Sequence, residues 1–178
     1  MFLRNGWERC QIFTYFVNFY LPLYMQVTDV ATGKKKPVII RETEAEDFKI
    51  LTRKCFSFEW KTFKNSMAIY TLRIEGEDGI LGVMGLVDWQ EEQRIEIKLL
   101  STSIENIGKL KIYEGIAGCL IAFASRLAVS KYGPEASVSL VPKTALIRHY
   151  MEKYNMQHAG WQLYLVGINL FKIVKEYT

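Results

Sequence analysis

Three apolar runs separated by short polar turns occupy the middle of the chain. Residues 67–74 (MAIYTLRI), 80–88 (ILGVMGLVD) and 94–100 (RIEIKLL) have strand length and are rich in β-branched and aromatic side chains. Residues 75–79 and 90–93 are the turns, the first with glycine where positive φ is needed. Connections this short join antiparallel neighbours, so the pattern predicts a meander. In the third run, alternation puts Glu96, Lys98 and Leu100 on one face and Ile95, Ile97 and Leu99 on the other.

Beyond residue 112 the period lengthens. Tyr113, Ile116, Ala117, Leu120, Ala124, Leu127 and Ala128 recur at spacings of three and four, predicting a helix over 113–132 that Gly133 and Pro134 end. A strand at 136–141 follows, then a helix over 144–154 with Leu146, Ile147, Tyr150, Met151 and Tyr154 inward, a strand at 161–166 and a helix over 169–176. Upstream, 38–41 (VIIR) reads as a strand. Thr43 and Glu46 have capping-box spacing for a helix over 44–56 with Phe48, Leu51 and Cys55 inside. A helix joining strands 94–100 and 136–141 makes a right-handed crossover between parallel neighbours. The expected fold is α+β with a mixed sheet, an antiparallel meander plus a splayed parallel pair.

Ligands of open sheets sit at the carboxyl ends of diverging strands, here between 94–100 and 136–141. The loop after residue 100 leads into Gly115, Ile116, Ala117 and Gly118 at a helix start, where free N–H groups suit a phosphate and small residues let it approach. Small residues there equally serve close packing of helix on sheet.

Composition narrows the chemistry. The 178 residues, 49% hydrophobic and 24% charged, make one folded domain rather than a disordered chain. A net charge of +4 is too small to demand nucleic acid. Three scattered cysteines, Cys10, Cys55 and Cys119, read as reduced thiols of a cytoplasmic protein. With His149 and His158 the only histidines and no HExxH or CxxC, no metal is expected; GxSxG and GxxxxGK are also lacking. Gly108, Gly115 and Gly118 do not have dinucleotide-fingerprint spacing.

The aromatic-rich run at 10–25 is shorter than the about 18–20 apolar residues of a membrane span and contains Gln11, Thr14, Asn18 and Pro22, so no stable membrane insertion is expected. It reads as an extension packed on the domain, an overlong start ahead of Met25, an oligomer contact or an export signal. The expected division is 1–36, an aromatic extension and basic linker able to pair two copies as a homodimer, and 37–178, the domain.

The stretch 94–156 resembles the core of a GNAT-superfamily acyl-CoA N-acyltransferase. That family places a loop of the form Q/R-x-x-G-x-G/A after a strand, then a helix, a strand and a helix with a Tyr-x-x-x-Gly-Phe ending. Gly115, Ile116 and Ala117 match the end of the loop, and the segment from Tyr150 to Met156 resembles the tyrosine-bearing ending, with Asn155 and Met156 in place of Gly and Phe. Ile112 stands where the family has Gln or Arg, Lys143 and Thr144 replace a frequent Asn, and helix 169–176 takes the place of the last hairpin strand.

The resemblance implies transfer of acetyl from acetyl-CoA, as co-substrate, to a primary amine of a small molecule or peptide by direct attack, without metal. It implies Tyr150 as the acid to the CoA sulfur and Glu96 as the base. The backbone of Leu99, Leu100 and Ser101 would meet the pantetheine arm. Tyr113, Gly115, Ile116, Ala117 and Gly118 would hold the pyrophosphate, with Lys109 and Lys111 adding charge. Phe56, Phe58 and Trp60 would pack the core or line the acceptor side. The alternative is a catalytically inactive GNAT-fold module that binds acyl-CoA or another protein.

Overall fold

The meander forms the centre of a nine-stranded sheet in the computed structural model, which describes residues 24–178. The strands are β1 (Met25–Asp29), β2 (Lys35–Glu42), β3 (Ala68–Ile74), β4 (Ile80–Trp89), β5 (Arg94–Thr102), β6 (Tyr113–Glu114), β7 (Ser137–Leu140), β8 (Gln157–Ala159) and β9 (Gln162–Val166). The helices are α1 (Arg53–Phe56), α2 (Ile116–Tyr132), α3 (Ile147–Tyr154) and α4 (Ile168–Glu176). Sheet order is β6-β1-β2-β3-β4-β5-β7-β9-β8, with β5 and β7 the parallel pair. The expected mixed sheet, with its meander and its crossover helix, is present.

Alternation divides the apolar side chains between two faces. Leu72, Ile74, Met84, Leu86, Ile95, Ile97, Val138, Leu140, Leu163 and Leu165 join one core with α2 and α4. Ile69, Ile80 and Val83 form a second core with Leu51, Phe56 and Trp60 from the 45–63 lobe. Each fully buried side chain of this kind contributes about 1.5–3 kcal/mol. Because α2 lies between the sheet and α4, burial runs around it: Cys119, Leu120, Ile121, Ala122, Ala124, Ser125 and Ala128 are all enclosed, rather than one stripe.

Several elements differ from the expectation. The sheet begins ahead of Pro37: Met25 pairs with Val38, and Met25 and Val27 are buried. The expected boundary between residues 36 and 37 therefore falls inside β2. Residues 1–23, Cys10 and the homodimer expected through them lie outside the described residues.

The helix expected over 44–56 is a 3-10 turn (Ala45–Lys49) and the short α1. Asp47 turns inward to accept a hydrogen bond from the Arg73 guanidinium, and its other oxygen accepts one from the Glu44 backbone N–H at 3.1 Å. The Trp60 N–H takes the Leu51 carbonyl at 3.2 Å, so that oxygen serves the lobe instead of a helical ladder.

Tyr113 and Glu114 are strand rather than helix, paired with Asp29 and Thr28 of β1. Leu146 and Met151 are exposed, while Ile147, Tyr150 and Tyr154 pack inward. The last hairpin is present as β8 and β9, and α4 is added to it. No helix among the described residues is long and apolar enough to cross a membrane.

Candidate functional site

β5 and β7 pair from Arg94 opposite Ser137 to Ile97 opposite Leu140, where β7 ends. β5 runs on to Thr102 with β4 alone on its other side, so the parallel pair opens at Ile97. The opening coincides with a bulge. Ile97 faces Leu86 and Leu99 faces Gly85, which leaves Lys98 without a partner on β4. An extra residue of this kind bends a strand and increases its twist, turning β5 away from β7. Past the bulge, Ser103 donates its N–H to Leu81 at 2.8 Å. Counting back by two puts Ser101 and Leu99 toward β4, and the backbone groups of Leu100 and Thr102 at the open edge. Nothing in the one-dimensional pattern announces the bulge, because it exists only as a mismatch between two strands.

Asn106 was not singled out from the sequence, yet it closes the loop that follows. It is buried, donates through Nδ2 to Ser103 Oγ at 2.8 Å, and accepts the Tyr113 N–H through Oδ1 at 2.8 Å. Both ends of the loop are thus tied to one amide, while Ile107, Leu110 and Ile112 between them are exposed. Of the two loop lysines, Lys111 pairs with Glu114 at 2.6 Å and Lys109 is exposed.

The loop leads into α2 through Gly115, whose φ of 92° is the left-handed region that glycine allows. The first intrahelical bond runs from the Cys119 N–H to the Gly115 carbonyl at 2.9 Å. The N–H groups of Ile116, Ala117 and Gly118 precede it, and no side chain caps them from Gly115. Cys119 Sγ donates to the Gln26 carbonyl at 3.4 Å, and burial pushes its thiol up to about 12. Gly118 has a neighbour the sequence did not foretell. A Cβ there would overlap the ring of Tyr177, just past α4. Gly118 is small because an aromatic ring lies on it.

Tyr150 is half-buried on α3, with ring centroids 5.7 Å from Tyr154 and 5.9 Å from His149. Burial raises its phenol above the ordinary tyrosine value. Asn155 ends the helix with φ of 53°, as a glycine would. Counting Tyr-x-x-x-Gly back from Asn155 reaches Met151, which is exposed; Tyr150 stands one residue earlier and faces inward. His158 lies on the exposed β8.

Glu96 is 3% exposed and its oxygens are engaged. Oε2 accepts from Trp89 Nε1 at 2.8 Å and lies 3.8 Å from the Arg94 guanidinium, while Oε1 accepts from Lys98 Nζ at 3.2 Å. Arg94 in turn donates to Ser139 Oγ and Glu92, both at 2.7 Å. The bulge residue Lys98 is therefore held on the same carboxylate that the resemblance implies as a base. Trp60 is buried in the second core with Phe58 edge-on at 5.8 Å. No group of three or more His, Cys, Asp or Glu among the described residues is placed to hold a metal.

No family model matches the chain, and no curated protein matches it by sequence. Solved structures do resemble it. A crystal structure described as a bacterial toxin aligns over 80% of this chain and 97% of its own, with a TM-score of 0.54 and 11% identity. The IAA acetyltransferase from Bacillus cereus covers 72% and 98%, with a TM-score of 0.50 and 15% identity. The AtaT toxin, bound to the C-terminus of the antitoxin AtaR and acetyl-CoA, covers 75% and 95%, with a TM-score of 0.50 and 11% identity. At such identities the likeness is one of backbone, and with the splayed parallel pair it establishes that this chain has the fold of the GNAT acetyltransferases.

Proposed function

We propose that the protein is a cytoplasmic acyl-CoA-dependent N-acyltransferase that moves acetyl from acetyl-CoA to a primary amine of a small molecule or peptide by direct attack. The observation that carries this reading is the open β5 edge, from the Lys98 bulge to Thr102, together with the uncapped first turn of α2, the two joined through the Asn106 clamp between Ser103 and Tyr113. An extended pantetheine arm fits the first as an added strand, and a diphosphate fits the second. The fit is contested in one place, at Gly118, where the chain's own Tyr177 lies. A buried, unpaired Cys119 favours a reducing compartment.

Acetyl-CoA would supply a thioester-activated acyl group. The Leu100 N–H, at the open edge, would orient and polarise the acyl carbonyl without reorganising. The N–H groups of Ile116, Ala117 and Gly118 would hold the diphosphate charge, with Lys109 as the exposed cation of the loop. Tyr150 keeps its proton at Oη through neutral pH, which suits a donor to a leaving thiolate. Glu96 has its oxygens occupied, so its task in this reading is to hold Trp89 and Lys98, and the amine loses its proton to solvent.

Thermal-shift titration with acetyl-CoA tests the reading. A ligand at about 100 times its dissociation constant stabilises by about 2.7 kcal/mol, so the melting temperature should rise. No rise at saturating concentrations overturns it. Thiol release across an amine panel then separates the second reading, an acyl-CoA-binding module without turnover, which Met151 at the tyrosine register favours. Stabilisation with no thiol release for any amine supports that second reading.

A further inference from the structure

The turn of α2 that would receive the diphosphate is already in use. α4 packs along α2 through Leu170, Phe171, Ile173 and Val174, all buried, and its last turn carries Tyr177 to the start of α2. The Tyr177 N–H closes that turn on the Ile173 carbonyl at 3.3 Å. A Cβ on Gly118 would overlap Cε1, Cζ and Oη of Tyr177, and the same ring is 3.8 Å from the Cβ position of Gly115. On its other side the ring lies 6.4 Å, centroid to centroid, from Tyr154 at the end of α3. Tyr177 is thus wedged between α2 and α3. Burial, aided by the neighbouring Glu176 charge, pushes its phenol up to about 12.

We propose that α4 with Tyr177 is a self-docked strap that competes with the diphosphate of acyl-CoA for the first turn of α2, so that cofactor binding displaces the ring from Gly118. This rests on the acyl-CoA reading above. The ring lies against the Cβ side of the turn whose N–H groups would take the diphosphate, and Gly118 provides no side chain to hold the two apart. The four buried residues anchor α4 independently of the tyrosine, so displacement needs only the chain beyond Val174, with Tyr177, to swing. A strap closed in about nine molecules of ten weakens apparent affinity about tenfold, since only the open fraction binds.

Calorimetric titration of CoA into the full chain and into Tyr177→Ala reads this directly. The variant should bind CoA about tenfold more tightly. Equal or weaker binding by the variant overturns the strap and leaves the acyl-CoA reading standing. Absence of CoA binding in both chains overturns both. Because Tyr177→Ala can loosen α4, hydrogen exchange on the unaltered chain gives a second measure. With CoA bound, the amides of α4's last turn should exchange faster than without it; unchanged or slower exchange overturns the strap.

Discussion

Trp89 reaches Glu96 with a 2.8 Å hydrogen bond from its indole nitrogen, and Lys98 reaches the same carboxylate from the bulge. A buried carboxylate with these donors is a structural joint between β4, β5 and the edge of the cleft. Glu96→Ala leaves the indole N–H and part of the Arg94 charge unsatisfied, so urea unfolding should show a loss of about 3 kcal/mol. Glu96→Gln keeps an acceptor for Trp89 and should lose clearly less. If Glu96 were instead the base, the glutamine variant would lose the acidic limb of the activity profile while unfolding scarcely changed.

Asp47 and Arg73, 7% and 5% exposed, form a second joint on the same face of the sheet, opposite the main core. It fastens the 45–63 lobe to β3, and Arg73 also donates to the Asp78 carbonyl. Asp47→Ala would strand a buried guanidinium and should cost about 3–5 kcal/mol. Hydrogen exchange should show the loss concentrated in residues 45–63. An even loss across the whole sheet would mean that the pair does not fasten the lobe.

These joints show which features a single sequence displays. The meander and α2 are legible because strand and helix periods are local: Ile95 and Ile97 alternate with Glu96, and Leu120, Ala124 and Ala128 recur at helical spacing. β1 is obscured because Met25 and Val27 continue an apolar run that starts well upstream, and its pairing with β2 is visible only as register. The 44–56 helix fails because Asp47 answers to Arg73, which is remote in sequence. The positive-φ turn at Gly115 is legible from its small residues, whereas the reason for Gly118 is a ring from Tyr177. The Lys98 bulge and the Asn106 clamp depend on partners, so no local pattern encodes them.

Tyr150 and Met151 present a direct choice. If Tyr150 is the acid, Tyr150→Phe should lower kcat by about 100-fold with little change in KM for acetyl-CoA. Met151→Tyr, which restores the motif spacing at an exposed position, should not then raise activity. Unchanged turnover in the phenylalanine variant, together with a gain in the tyrosine variant, would transfer the role by one residue.

Cys119 sets an alkaline limit on stability. Its thiol is pushed from 9.0 up to about 12 by burial. The unfolded chain therefore releases this proton from about pH 9 while the folded chain keeps it. The folded state binds more protons across that window, so stability is fully present below about pH 9. It falls by about 1.4 kcal/mol per pH unit as pH rises toward the folded value. Urea midpoints between about pH 8 and about pH 11 should decline less steeply in Cys119→Ala than in the unaltered chain. The slopes carry the test, because the alanine lowers stability at every pH through lost packing. Parallel slopes would exclude Cys119 as a source of the decline.

Gly82 on β4 determines how closely α2 lies on the sheet. A Cβ there would come 2.6 Å from Ile116 Cγ2 and 3.1 Å from Leu120 Cδ1, both in the first turns of α2. Neither side chain can retreat freely, because Ile116 and Leu120 are buried in the main core. Gly82→Ala should therefore lift the start of α2 and cost about 1–3 kcal/mol, as overpacking does elsewhere. The same displacement moves the N–H groups of Ile116, Ala117 and Gly118 relative to the open edge of β5. CoA affinity should fall along with stability, although Gly82 faces the core and not the ligand. Val83→Ala, on the opposite face and packed with Leu51 and Trp60, provides the contrast. It should lower stability by a similar amount through a cavity and leave CoA affinity largely unchanged. Equal losses of affinity in the two variants would show that global stability, rather than the seating of α2 on Gly82, governs the site.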